Sequence, residues 1–189
     1  MLDTLMNLVR QNADDAVINN PAIPNHQNEE AINAISGGIM GGLQQQAQGG
    51  NLGDLLGMVM GQGGQAGVQS SPVTQGVQQN VQQSLIERLG ISPQTAMSVA
   101  GAVVPMILGK LMQKSQDPND PSVDGNIIMG QATGRQGVDW MGMAGSAMRD
   151  GRLDMNDLMQ AAGGLFGGGG NRQQGGGLGG MLGGLFGGK

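Results

Sequence analysis

Apolar residues recur at helical spacing along most of the chain. In the first segment they fall three or four residues apart, which places them on one face of a helix over Asp3–Asn19. Pro21 ends that helix, because the residue before a proline is pushed away from the α region. Similar stripes predict helices over Asn28–Ala47, Leu52–Met60 and Val73–Leu89. β-branched residues do not alternate convincingly with polar ones, so no strand is predicted.

The most apolar segment runs from Ala96 to Gly109, with Ser98 as its polar exception. A helix that is apolar on all sides is either buried or spans a membrane, and Lys110 leaves this run short of the roughly 20 residues that a span needs. We therefore predict that Ser92–Gln113 is the central, nearly fully buried helix, with the other helices around it. Its aliphatic row should contact the row of the preceding helix; the two rows are Val99, Val103, Ile107, Leu111 and Val77, Val81, Leu85.

Four glycines interrupt the predicted helix over Asn28–Ala47. Each costs roughly 1 kcal/mol relative to alanine in a helix interior. They either allow a second helix to approach closely, or the helix frays after Met40, and the sequence leaves both open. The four are Gly37, Gly38, Gly41 and Gly42.

Pro105 lies inside the most apolar segment and should kink it. Proline has no backbone N–H, so the carbonyl of Gly101 loses its usual donor. One interpretation is that the proline shapes the core, and the other is that the freed carbonyl serves a site. We favour the first.

The remaining segments are more polar or richer in glycine. Gly61–Ser71 is predicted to be a mobile loop. Further short helices are predicted over Asn126–Thr133, Val138–Met148 and Leu153–Ala162.

The C-terminal segment Gly163–Lys189 is mostly glycine and carries one hexapeptide twice, at Gly163–Gly168 and Gly183–Gly188. A segment with so few side chains cannot bury enough apolar surface to offset its ordering entropy. We therefore predict a helical domain over residues 1–162 and a low-complexity tail over residues 163–189. The fold class is all-α, a compact multihelical array around one buried apolar helix, with a flexible glycine-rich C-terminal tail.

Composition excludes several function classes. The chain has 189 residues, no Cys and one His, so it cannot form a disulfide, a zinc site of Cys and His, or a catalytic Cys–His pair. Its net charge is −5 and its nine basic residues are scattered, which argues against nucleic-acid binding. The N-terminus lacks the basic region of a secretory signal. We expect a cytoplasmic, bacterial, methionine-rich protein that is not an enzyme and needs no cofactor.

One segment resembles the second half of a calcium-binding EF-hand loop. Asp150, Asp154 and Asp157 match its acidic positions, but positions one and three would be Ser146 and Met148. Methionine cannot ligate calcium, and Asp157 is shorter than the usual bidentate glutamate. We therefore predict no metal site, and a tight helix–turn–helix with Asp154 or Asn156 as a cap.

Several motifs of the helical body resemble the YidB-like family, a bacterial domain of unknown function, over roughly residues 1 to 120. The resemblance implies a compact multihelical fold and no established activity. Relatives are often glycine-rich near the C-terminus, and some carry a more complete calcium-type loop. The motifs are Asn20–Asn25, Leu89–Ser92, Val104–Leu108 and Asp117–Asp120.

The hexapeptides indicate a function in self-association. Leu165, Phe166, Leu185 and Phe186 are apolar groups on a glycine-rich chain, and weak contacts of this kind gain strength through multivalency. We expect a non-catalytic structural or interaction module that forms homo-oligomers. The alternative is a calcium- or membrane-responsive binding module, although glycine disfavours a membrane-bound helix and the tail has little positive charge.

Overall fold

The computed structural model describes residues 1–62, 64–117, 119 and 122–149. The described residues are mainly helical and contain no strand, which confirms the all-α fold class. The compact unit comprises Met1–Ser146. The predicted helix over Leu153–Ala162 and the tail over 163–189 lie outside the described residues. The helices are α1 Leu2–Asn12, α2 Asn28–Gln48, α3 Leu52–Val59, α4 Gly64–Ser70, α5 Pro72–Leu89, α6 Pro93–Ser115, α7 Gly125–Thr133 and α8 Trp140–Arg149, with a π-helical turn at Asp14–Ile18 and a 3-10 turn at Asn25–Gln27.

Helix α5 and helix α6 begin where the sequence predicts, and α5 also ends where predicted. The Ser71 hydroxyl accepts a hydrogen bond from the backbone N–H of Val73, and Ser92 does the same for Thr95. A proline follows each serine, where its missing N–H costs nothing. Gly90 closes α5 at a φ of 67°, the left-handed conformation that glycine adopts without strain.

The first predicted helix is divided in two. Helix α1 ends at Asn12, and the segment continues as the π-helical turn. The buried residues of this first segment are spaced four apart. In a straight α-helix, residues at this spacing shift by about 40° around the helix axis at each step. A π-turn holds more residues per turn and so returns the later residues to the buried face. These residues are Leu5, Val9, Ala13 and Val17.

The prediction of a loop at Gly61–Ser71 is wrong over most of its length, because α4 forms there. Val68 of α4 is buried, and the Thr74 hydroxyl of α5 donates a hydrogen bond to the Val68 carbonyl. One apolar side chain and one buried hydrogen bond thus attach a segment whose composition predicts mobility.

Helix α2 is the centre of the array, packing against α1, α3, α5 and α7. It runs unbroken through its four glycines and does not fray after Met40. The interpretation that the glycines allow a second helix to approach closely is therefore correct. A Cβ on Gly38 would lie 2.8 Å from the Cα of Val81 in α5. The valine row predicted to pack on α6 therefore also lies against the glycines of α2.

Helix α6 packs against α5, α1 and α4 and supplies a large part of the core. The expectation of nearly full burial is nevertheless wrong, since Met97 is 60% exposed. Helices α1 to α5 contact α6 but leave one side of it exposed, and α2 makes the more extensive contacts with its neighbours. Its buried residues are Ala96, Val99, Ala100, Val103, Val104, Ile107, Leu108, Leu111 and Met112.

Candidate functional site

The outer face of α6 is an apolar surface of the described residues that does not pack into the core. Met97, Ser98, Gly101, Ala102 and Met106 are exposed along it. Helix α6 carries no charged residue before Lys110. Two of the four exposed large apolar side chains of the described residues, Met97 and Met106, belong to this face.

A groove of about 600 Å³ lies where the C-terminal half of this outer face meets α4 and α5. A volume of this size is within the range of ligand-binding clefts. Val68 and Gln69 of α4 line one part of it, and Gln78 of α5 lines another. The buried hydrogen bond from Thr74 to the Val68 carbonyl holds α4 in position beside the groove.

The floor of the groove consists of small residues of α6. Gly101, Ala102 and Gly109 line it together with Pro105. A Cβ added to Gly101 or Gly109 would meet no atom of the described residues within 4 Å, so the space above both glycines is open. Pro105 cannot donate to the carbonyl of Gly101, one turn earlier in the same helix. Pro105, predicted to shape the core, therefore also lines the groove.

The rim of the groove is polar but carries no acid. Gln69, Gln78, Gln113 and Lys110 line it. Within the described part of the chain, none of the three side-chain amides has a hydrogen-bond partner. An amide offers two donors and one acceptor oxygen, so these groups can recognise peptide-like polar atoms. The lining contains no histidine, hydroxyl or carboxylate that could act as a nucleophile or a general base.

A second cavity, of about 460 Å³, lies beside α7 and the start of α8. Two of its polar side chains already accept hydrogen bonds within the fold. Asp139 accepts a hydrogen bond from the backbone N–H of Gly142 at 2.9 Å, and Asn126 accepts one from Met141 at 2.9 Å. These side chains cap α8, and their principal acceptors are therefore occupied.

None of the residues predicted to carry chemistry falls within the described part of the chain. Asp150, Asp154 and Asp157 lie outside the described residues, as do the self-association residues Leu165, Phe166, Leu185 and Phe186.

Ser146 and Met148 fall inside α8, which continues to Arg149. The Ser146 hydroxyl donates to the carbonyl of Gly142 at 3.1 Å. Loop positions one and three of the EF-hand alignment are therefore helical. Among the described residues, no group of three or more His, Cys, Asp or Glu could hold a metal ion.

Helix α6 is the one described helix that is long and apolar enough to cross a membrane. Half of its most apolar window is buried inside the protein, and the core helix of a protein that never enters a bilayer can meet the same criteria of length and composition.

No family model, no curated protein and no solved structure matches the chain. The resemblance to the YidB-like family stays a prediction that rests on the sequence motifs.

Proposed function

We propose that this protein is a non-catalytic module that binds further copies of itself. The observation that carries the proposal is the outer face of α6, an uncharged surface that bears Met97 and Met106 at 60% and 38% exposure. Methionine is flexible and polarisable, so it adapts to a partner surface without a preformed pocket. Contiguous apolar surface on a protein often marks an interaction site.

The tail supports the same proposal independently. Each chain carries the Leu-Phe hexapeptide twice, so one copy can make two weak contacts at once. Linked weak contacts raise the total affinity through effective concentration. The non-catalytic part of the proposal rests on composition, since the chain has one His and no Cys.

Light scattering of the full chain over a range of concentrations tests the proposal. We expect a mass above that of one chain that rises with concentration. The double variants Met97→Lys, Met106→Lys and Phe166→Ser, Phe186→Ser should each lower the mass. Leu2→Lys is the matched control, because Leu2 is also exposed, at 47%, but lies on α1. A full chain that remains a monomer at every concentration would show that the proposal is wrong.

The second candidate, a membrane-responsive module, is favoured by the exposed methionines on the outer face of α6, Met97 and Met106. An apolar face buries into the boundary between headgroups and acyl chains of a bilayer. Co-sedimentation with vesicles separates the two candidates. If the chain is monomeric in solution but binds vesicles, and the double variant Met97→Lys, Met106→Lys abolishes this binding, the result would favour the membrane-responsive module.

A further inference from the structure

We infer that the groove between α4, α5 and α6 is a receptor for the Gly-Gly-Leu-Phe-Gly-Gly hexapeptide supplied by a second copy of the chain. This inference rests on the proposed function and adds the receiving site and the segment that it binds.

The floor of the groove suits a chain with a bare backbone. Above Gly101 and Gly109 a Cβ would meet no described atom within 4 Å, so a peptide can approach the backbone of α6 directly. Glycines on both sides of the Leu-Phe pair let the bound segment lie equally close, because they add no side chain between the two backbones. Small residues on both partners shorten the distance at which the backbones meet.

The polar groups of the groove match those of a peptide backbone. Pro105 has no N–H to donate to the Gly101 carbonyl, and both residues line the groove, so the proposed binding mode uses that carbonyl as an acceptor for a peptide N–H. The side-chain amides of Gln69, Gln78 and Gln113 have no partner within the described residues and can serve the remaining peptide groups. A glycine-rich segment exposes these backbone groups more fully than any other kind of peptide does.

The apolar groups of the groove match the Leu-Phe pair. Val68, Ala102 and Met106 line it, and none of them carries a charge. The hexapeptide is also uncharged, so Lys110 at the rim meets no repulsive group in it. Two hexapeptides and one groove in each chain allow a copy to engage more than one neighbour.

The experiment uses a fluorescently labelled, end-capped Gly-Gly-Leu-Phe-Gly-Gly peptide and fluorescence anisotropy. The receptor is the full chain with Phe166→Ser and Phe186→Ser, so that its own hexapeptides do not compete. We expect saturable binding to this receptor and no binding of a matched peptide in which serine replaces both Leu and Phe.

Two changes in the groove should weaken this binding. Gly109→Trp fills the open space, and we expect a loss of at least about tenfold, as for the displacement of one leucine-sized contact. Pro105→Ala restores the N–H that occupies the Gly101 carbonyl, and it should weaken binding several-fold without filling the groove. Gly37→Trp is the matched control, because a Cβ at Gly37 also meets nothing within 4 Å but Gly37 lies on α2.

The assignment of the groove as the receptor would be overturned if the peptide did not bind. It would also be overturned if the peptide bound Gly109→Trp and the unchanged groove with equal affinity. Light scattering of the native chain tests the proposed function separately. Oligomers that persist in Gly109→Trp leave the proposed function intact and overturn the groove as the receptor that holds them. A native chain that is monomeric, together with peptide binding, overturns the assignment of the hexapeptide to a second copy.

Discussion

Gly42 of α2 lies directly against Val77 of α5, where a Cβ on Gly42 would stand 2.8 Å from the Cα of Val77. Real Cβ atoms do not approach a backbone so closely, so the crossing of these two helices needs glycine at this position. Gly38 makes the same contact with Val81 one turn earlier. The four-residue spacing of the two glycines therefore matches that of the two valines.

Gly42→Ala should lower the free energy of unfolding by about 1–3 kcal/mol, because the added methyl group forces the helices apart. Alanine has the higher helix propensity, so the sign of the effect distinguishes packing from propensity. Gly37→Ala, at an open position of the same helix, should instead stabilise by up to about 1 kcal/mol. Urea unfolding of both variants measures the difference, and stabilisation by Gly42→Ala would contradict the close contact.

Val103→Asp should unfold the helical domain. Val103 is fully buried on α6, and an aspartate there would place a carboxylate in the core without a partner. Ala102→Asp is the control, because the adjacent residue is exposed on the outer face. Thermal unfolding followed by far-UV circular dichroism should show no cooperative transition for Val103→Asp and a nearly unchanged one for Ala102→Asp. An unchanged transition in both would show that this side of α6 is not core.

Gly90→Ala should destabilise the protein by about 1 kcal/mol, the cost of a left-handed conformation in a residue with a Cβ. Gly90 has a φ of 67°, and no described atom lies within 4 Å of an added Cβ, so the effect is purely conformational. Gly90→Asn should cost less, because asparagine tolerates this conformation. Chemical denaturation of the two variants tests that order, which a steric effect would reverse.

Asp124→Ala should destabilise α7 by about 1 kcal/mol. The Asp124 carboxylate accepts a hydrogen bond at 2.7 Å from the backbone N–H of Ile127 and caps the helix. Asp124→Asn keeps an acceptor oxygen and should retain most of the stability. Hydrogen exchange of the α7 amides reports the loss locally, and equal exchange in all three proteins would show that the cap contributes nothing.

Calcium should leave the thermal transition of the full chain unchanged. Ser146 and Met148, the aligned positions one and three of the loop, lie within α8 and so cannot adopt the loop conformation that calcium requires. Differential scanning calorimetry with and without millimolar calcium measures this. A calcium-dependent rise in the transition temperature, lost in Asp154→Asn, would restore the calcium hypothesis.

Helix boundaries with a local chemical cause could be predicted from the sequence. Ser71 and Ser92 followed by proline, and Gly90 after α5, act within one turn of the chain, so their effect depends little on the rest of the fold. Helix α4 could not be predicted in this way. Its order depends on the burial of Val68 and on the bond from Thr74, contacts that the composition of Gly61–Ser71 does not reveal.

The candidate groove was only partly visible in the sequence. Pro105 signals that the Gly101 carbonyl has lost its donor, but the sequence does not show whether that carbonyl points to the core or to solvent. The side of α6 that stays exposed depends on where α4 and α5 lie. The residues predicted for self-association, Leu165, Phe166, Leu185 and Phe186, keep the status of predictions.

The sequence by itself determined that the described part of the chain is helical and where most of its helices begin and end, because spacing, caps and prolines act over a few residues. Tertiary structure decided which helix is central. Helix α6 is the most apolar, yet α2 occupies the middle of the array. The hydrophobicity of a helix determines how much free energy its burial contributes. The size of its side chains determines how closely the backbones of neighbouring helices can approach it. Gly38 and Gly42 let α2 approach α5 so closely that an added Cβ would lie 2.8 Å from a valine Cα, and the outer face of α6 is left in contact with solvent.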